Sequence, residues 1–175
     1  AVDTDEAWMT TKLAGMDTVF LPFNRGFDNG AGNPPVSGKY KTSYLWEEVL
    51  AKDSLLDILY RFIQFIPHDN DRRKDKLIFP RYHQLDAVRA LVTDAKSHGA
   101  GKNYLVQHSA GSGKSNTIAW LAHHLSNLHD DQQRAVFDSI IVITDRRVLD
   151  KQLQDTIYAM DHTAGVVVRV DKNAQ

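Results

Sequence analysis

One stretch of the sequence sets the expected architecture: Tyr104-Leu105-Val106-Gln107-His108-Ser109-Ala110-Gly111-Ser112-Gly113-Lys114-Ser115. It opens with an apolar strand pattern at 104–107, passes through a glycine-rich loop and enters a helix predicted over 114–128. A second run rich in Ile and Val predicts a strand at 139–144. Strand, helix and strand in this order are typical of a βαβ unit with parallel strands.

Elements on both sides extend this unit. Apolar residues spaced by three and four predict a helix over roughly 81–98, with Gly99 as its left-handed stop. Downstream, the same spacing predicts a helix from about 147 to 160, followed by a strand at 166–170. The sequence therefore predicts an α/β fold with a mostly parallel sheet and helices on both faces.

The N-terminal part has a different character. Short strands are predicted at 7–12 and 19–23, followed by a long loop at 24–35 that is dense in Gly, Asn and Pro. A pair of helices is predicted within 44–66, with Pro67 closing the second one. The charged run at 68–76 is typical of an exposed linker. The sequence therefore predicts a domain boundary that separates residues 1–75 from residues 76–175.

Composition excludes several classes of protein. The 175 residues have no cysteine, which removes disulfides, thiolate metal sites and cysteine nucleophiles. A net charge of −1 is not that of a protein covered in basic residues, so contact with nucleic acid is expected to be local. No apolar run is long enough to cross a bilayer, and the acidic start lacks a signal-peptide n-region. A cytoplasmic protein is expected.

The glycine-rich loop matches the P-loop pattern from its last glycine onward, although His108 stands where that pattern begins with Gly. Backbone N–H groups at the helix start are expected to point at one phosphate. Lys114 is predicted to lie between the β- and γ-phosphates, and the Ser115 hydroxyl to complete Mg²⁺ coordination. The alternative is an ordinary turn, but two glycines and a first-turn Lys favour an anion site. The predicted ATP-binding residues here are Gly111, Ser112, Gly113, Lys114, Ser115 and Asn116.

Two further clusters are candidates. Gln84 has the donors and acceptor to read an adenine edge, and Arg81 or Tyr82 could stack on the ring, although an exposed Gln is commonly just solvated. Asp145, Arg146 and Arg147 follow a predicted strand at the sheet edge where ligands collect, and are candidates for DNA contact. The alternative is that Asp145 caps the next helix. The eight histidines form no metal-ligand pattern.

Together, residues 81–84, 108–115 and 143–152 resemble the opening motifs of helicase-like motors, and most closely those of the R subunit (HsdR) of type I restriction enzymes. Residues 20–26 and 30–34 also resemble the segment that joins the nuclease domain of that family to its motor. The resemblance implies an incomplete RecA-like (P-loop) domain at 76–175, after the tail of a nuclease domain at 1–75. It assigns Gln84 to an adenine-reading motif and places Asp145 and the residues after it next to translocated DNA.

The implied activity is ATP-dependent DNA translocation coupled to endonuclease cleavage in the bacterial cytoplasm. The implied cofactors are ATP and Mg²⁺, and the implied partners are double-stranded DNA and the modification (M) and specificity (S) subunits. The family's acidic Mg²⁺ motif is expected further downstream, since no Asp-Glu pair follows residue 115. An interior fragment, inactive by itself, is therefore expected. Another P-loop enzyme, such as a kinase or a different helicase, and a scaffold with a relic P-loop remain the alternatives.

Overall fold

The computed structural model describes residues 1–66, 75–144, 147–160 and 167. The chain divides into two compact units, Ala1–Leu85 and Asp86–Gln175. This division falls inside a helix, and the predicted domain division after residue 75 stays a prediction. Helices and small sheets occur together, as the predicted α/β class requires. Within the described residues, no helix combines the length and the apolar character needed to span a membrane.

Two antiparallel strand pairs lie in the first unit. Strand β1 (Trp8–Met9) pairs with β2 (Leu21–Pro22), and a 3₁₀ turn at Gly15–Asp17 lies between them in the chain. These strands confirm the two predicted N-terminal strands in shorter form. Strand β3 (Gln64–Ile66) pairs with β4 (Lys76–Ile78).

The N-terminal loop at 24–35 is held in place by asparagine side chains. The Asn24 Oδ1 atom accepts a hydrogen bond from the Ala7 N–H at 2.8 Å. Asn33 is buried, and its Oδ1 accepts from the Arg25 N–H at 2.8 Å while its Nδ2 donates to the Asp5 carbonyl at 2.9 Å. Backbone groups of the loop that lie outside any helix or strand thus bond asparagine side chains. The loop therefore has a defined path without regular secondary structure.

The predicted helical pair is present, but it ends earlier than expected. A π-helical turn (Leu45–Val49) precedes α1 (Lys52–Asp57), which continues into a second π-helical turn (Ile58–Phe62). The prediction that the helix runs to residue 66 is wrong, because Ile63 is extended and β3 follows it. Residues 63–66 are β-branched or aromatic apart from Gln64, and Pro67 disfavours helix in the residue before it.

Three helices continue the chain. Helix α2 (Tyr82–His98) ends where Gly99 adopts a φ of 67° and its N–H bonds the Ala95 carbonyl, as predicted. In the second unit, α3 (Lys114–Ser126) packs against α4 (Arg147–Ala159). Trp120 on α3 and Leu153 on α4 are buried. The His123 Nε2 atom lies 2.9 Å from the Ile157 carbonyl oxygen, so the imidazole donates to α4 from this nitrogen.

The predicted parallel sheet does not form among the described residues. Residues 104–107 and 139–144 are not strands, and the only sheets in the described part of the chain are the two antiparallel pairs. A strand is defined by the backbone ladder that it forms with a neighbouring strand, and neither segment forms such a ladder within the described ranges. Their apolar side chains consequently face solvent, with Leu105 93% and Ile143 88% exposed. The third predicted strand, 166–170, lies outside the described residues except for Val167.

Candidate nucleotide-binding site

The glycine-rich loop reaches α3 through two residues with left-handed backbone. Gly111 has a φ of 73°, and Gly113, the N-cap of α3, has a φ of 85° and a ψ of 33°. A turn precedes them, closed by a bond from the Ser112 N–H to the Ser109 carbonyl at 3.3 Å. A side chain at Gly111 would meet nothing within 4 Å, so its backbone conformation is the reason for glycine there.

Helix α3 presents its first N–H groups to the loop. Its first backbone bond runs from the Thr117 N–H to the Gly113 carbonyl at 3.2 Å. The N–H groups of Lys114, Ser115 and Asn116 precede this bond, so helix geometry leaves them without an acceptor inside the helix. The helix dipole adds partial positive charge at the same end. This arrangement suits an anion with several oxygens, such as a phosphate.

Lys114 folds back over the loop. Its ammonium Nζ donates to the Ser109 carbonyl at 2.8 Å and to the His108 carbonyl at 3.3 Å, while the side chain stays exposed. Neutral carbonyls thus hold a full positive charge beside the N–H groups of the helix start. A charged phosphate oxygen is a stronger acceptor than a carbonyl, so the ammonium is placed to exchange one for the other.

The departure from the P-loop pattern at His108 has a simple explanation here. His108 contributes its carbonyl oxygen to the Lys114 ammonium, and any residue type supplies that atom. Its φ is not in the left-handed region, unlike those of Gly111 and Gly113. The histidine therefore does not conflict with the backbone path that the loop requires.

The donor set fits ATP with Mg²⁺. Ser112 is buried in the loop, and Ser115 and Asn116 are half-buried at the start of α3. Among the described residues, no group of three or more His, Asp or Glu side chains could hold a metal ion independently. The Ser115 hydroxyl is the predicted Mg²⁺ ligand, and the remaining ligands would come from nucleotide oxygens and water.

The predicted adenine-reading residues belong to the first unit. Gln84 is 3% exposed, and its Oε1 accepts a hydrogen bond from the Arg81 N–H at 2.9 Å, as in a helix capping box. The Tyr82 ring is buried between Phe23 and Tyr44, so it is not available to stack on a base. Of the two stacking candidates, Arg81 remains, with a half-buried side chain.

Sequence reasoning missed one residue near this turn. The Arg25 guanidinium lies over the rings of both Tyr44 and Tyr82. The available signal was the position of Arg25 in the segment 20–26, which resembles the nuclease-to-motor connection. Of the predicted DNA-contact residues, Asp145 and Arg146 lie outside the described residues, and Arg147 is the first residue of α4.

Comparison with known proteins gives one match. The family model of the SWI2/SNF2 ATPase matches residues 83–174, which is more than half of the chain. Neither the curated proteins nor the solved structures include a match. The matched range contains the loop at 108–113 and α3, and it confirms the predicted class of helicase-like ATPase, a class that uses ATP. The chain belongs to the SWI2/SNF2 ATPase family.

Proposed function

We propose that this chain is the ATP-binding part of the R subunit of a type I restriction-modification system. In that role it binds Mg-ATP to drive DNA translocation coupled to DNA cleavage. The observation that carries the proposal is the loop at 108–116, where the Lys114 ammonium folds back over the turn that leads into the first N–H groups of α3. The family match supports the ATPase part of this proposal.

The restriction-specific part is supported by the sequence motifs. Residues 81–84 and 143–152 resemble two motor motifs of the R subunit, and residues 20–26 resemble its connection to the nuclease domain. The proposed partners are double-stranded DNA and the M and S subunits, in a bacterial cytoplasm. Asp145, Arg146 and Arg147 are the proposed contacts to DNA phosphates, which would position the motor on DNA without reading its sequence.

Each residue of the loop has a proposed task. The backbone N–H groups of Lys114, Ser115 and Asn116 hold the phosphates, and the Lys114 ammonium neutralises charge at the β- and γ-oxygens. Ser115 binds Mg²⁺ together with the nucleotide. When bound, Mg²⁺ polarises the phosphate oxygens and stabilises charge that develops during transfer to water.

The first test is Mg-ATP binding measured by calorimetry on this chain and on Lys114→Ala. The matched control is Lys96→Ala, because Lys96 forms an exposed ion pair with Asp131 in the same unit. We expect Lys114→Ala to lose binding by roughly 100-fold, as removal of a charged phosphate contact does, and Lys96→Ala to bind as the unchanged chain. Equal binding by all three proteins would reject the loop as the phosphate site.

The second test separates restriction motors from other ATPases. ATP hydrolysis is measured on a longer polypeptide that continues past residue 175, with and without double-stranded DNA. Hydrolysis that requires DNA and disappears in Lys114→Ala supports the proposal. Hydrolysis that is indifferent to DNA would point to a different P-loop enzyme, and binding without any hydrolysis would point to a scaffold.

A further inference from the structure

A tight turn at 27–30 lies within the N-terminal loop of the first unit. The Phe27 N–H donates to the Gly30 carbonyl at 3.1 Å, and the Gly30 N–H donates to the Phe27 carbonyl at 2.9 Å. Between them, Asp28 and Asn29 have left-handed φ values of 50° and 58°. Two central residues with positive φ are typical of a type I′ turn. The turn therefore has a closed and defined geometry.

Asn29 is the residue of this turn whose side chain can react with its own backbone. It is exposed, and Gly30 directly follows it, whereas no other asparagine in the sequence precedes a glycine. Glycine has no Cβ to hinder the approach of its nitrogen, and it reaches backbone angles that other residues do not. Because the Asn29 amide carbon and the Gly30 nitrogen are neighbours in the chain, their reaction has a high effective concentration.

The reaction that these two residues favour is loss of the side-chain amide. The Gly30 nitrogen attacks Cγ of Asn29, its proton is carried by water to Nδ2, the Cγ–Nδ2 bond breaks and ammonia leaves. The product is a cyclic imide, which one water molecule opens. Cleavage of the new N–Cγ bond gives aspartate. Cleavage of the original peptide bond gives isoaspartate, in which the main chain runs through the side chain.

The closed turn restrains this reaction. The attacking Gly30 N–H is already a donor inside the turn, and the Gly26 N–H closes the adjoining residues by donating to the Gly32 carbonyl at 2.8 Å. The buried Asn33 side chain holds the same stretch, because it accepts from the Arg25 N–H. Attack therefore requires the turn to open, and its rate follows the fraction of time for which the turn is open.

We propose that Asn29 is a site of spontaneous deamidation and that opening of the turn at 27–30 sets its rate. The two products have different consequences. Isoaspartate adds one methylene to the main chain, and a two-residue turn cannot then keep both bonds between Phe27 and Gly30. Aspartate adds a negative charge beside Asp28 but keeps the length of the chain. The isoaspartate product therefore loosens the loop at 24–35, and the aspartate product leaves its path unchanged.

The experiment follows the whole chain at constant pH and temperature, in buffer and in urea. Peptide mass spectrometry measures conversion at each asparagine, and electron-based fragmentation separates aspartate from isoaspartate. Asn103, which is exposed and precedes Tyr104, is the internal control. We expect Asn29 to convert before Asn103 in both conditions. Its rate in buffer should be roughly 3- to 10-fold lower than in urea, which is the protection that one hydrogen bond gives.

Two variants separate the chemistry from the turn. Gly30 does not have a left-handed φ, and a Cβ there would lie 3.4 Å from the Phe27 carbonyl oxygen, so Gly30→Ala is compatible with the turn. It should lower the Asn29 rate to that of Asn103, because the Cβ hinders attack. Asn33→Ala should raise the Asn29 rate toward the value in urea. Asn127→Ala, an exposed change in the second unit, is its control and should leave the rate unchanged.

Conversion of Asn29 that is no faster than conversion of Asn103 in buffer overturns the site. Equal Asn29 rates in buffer and in urea overturn control by the turn, whatever the behaviour of Asn33→Ala. The comparison of buffer with urea uses the unchanged chain, so it decides this point even if Asn33→Ala does not fold.

Discussion

In the first unit, short strands and loops are tied together by side-chain hydrogen bonds and ring contacts, whereas the second unit relies on packing between helices. Asn24 and Asn33 hold the first unit's loop, and Phe23, Tyr44 and Tyr82 form its aromatic centre. In the second unit, α3 packs against α4, yet the apolar segments 104–106 and 141–143 remain exposed.

The difference shows what each kind of segment needs. In a loop whose backbone groups bond nearby side chains, the hydrogen-bonding requirements are met within a short stretch of chain. An apolar strand segment needs a neighbouring strand to pair its backbone groups, and it needs packed helices or a second sheet to bury its apolar side chains. The second unit therefore has a defined loop at 108–113 and packed helices, and it also has two apolar segments that form no strand ladder in the described part of the chain.

Trp120→Ala should give the largest effect on stability. Trp120 is 1% exposed on α3, so its removal should cost the second unit about 3–5 kcal/mol. Urea unfolding is followed by circular dichroism for the helices and by emission of Trp8 and Trp46 for the first unit. Ile118→Ala, at an exposed position of α3, is the control and should change stability by less than about 0.5 kcal/mol. A matching shift in the Trp8 and Trp46 transition would show that the two units do not unfold separately.

Asn33→Ala should act on the other unit. It removes partners from the Arg25 N–H, the Asp5 carbonyl and the Asn24 amide oxygen inside the protein, which should cost about 1–3 kcal/mol. The measurement is the urea midpoint from tryptophan emission, with Trp120→Phe as the common background so that only Trp8 and Trp46 emit. Asn103→Ala, an exposed change in the second unit, should leave that midpoint unchanged. If Asn33→Ala also leaves the midpoint unchanged, the hydrogen bonds of Asn33 do not stabilise the loop.

The sequence predicts those parts of the fold that depend on local signals. Apolar spacing locates α2, α3 and α4 to within a few residues, and Gly99 ends α2 as expected. The path of the loop at 108–113 is predictable because its left-handed positions are occupied by Gly111 and Gly113. These features depend on neighbours in the chain, so a pattern in one segment is sufficient.

Other parts depend on partners that are distant in the chain. The pattern at 139–144 indicates a local preference for a strand, but it does not specify which segment would pair with it, and the segment is not a strand in the structure. Residues 64–66 were expected in a helix because Ile63 and Ile66 fit the helical spacing, and pairing with Lys76–Ile78 makes them a strand instead. The contact of Arg25 with Tyr82 was not predictable either, since 57 positions of chain separate two residues with no shared motif.

Gly111 and Gly99 both have a left-handed backbone, so alanine at each position distinguishes an effect on stability from an effect on ATP binding. Gly111 and Gly99 have φ values of 73° and 67°, and a side chain would meet no atom within 4 Å at either position. Alanine should therefore cost about 1–2 kcal/mol at each, from the left-handed backbone alone. Only Gly111→Ala should also weaken Mg-ATP binding, because only Gly111 lies in the phosphate loop. Urea unfolding and calorimetry measure the two effects, and equal weakening of binding by Gly99→Ala would contradict the assignment.

The smallest expected effect concerns the exposed segment 102–106. Asp94 on α2 accepts hydrogen bonds from the Tyr104 hydroxyl and from the Lys102 ammonium, which lower the pKa of its carboxyl below 3.8. The same contact raises the pKa of the Tyr104 hydroxyl above 10.0. The Asp94 contribution is therefore present above pH 3.8 and is lost as pH falls through the lowered pKa. The Tyr104 contribution is present below pH 10.0 and is lost as pH rises through the raised pKa.

Asp94→Asn should consequently flatten the acid side of the pH dependence of the thermal midpoint, and Tyr104→Phe should flatten the alkaline side. Both effects should be small because the groups are in contact with solvent, where charge interactions are screened. Hydrogen exchange at 102–106 should also be faster in Asp94→Asn, since this contact substitutes for the missing ladder. Asp131→Asn, which breaks the exposed pair with Lys96, is the control. Unchanged exchange in Asp94→Asn would mean that the hydrogen bonds of Asp94 do not hold residues 102–106. The second unit would then lack the side-chain contact that was expected to replace a strand ladder.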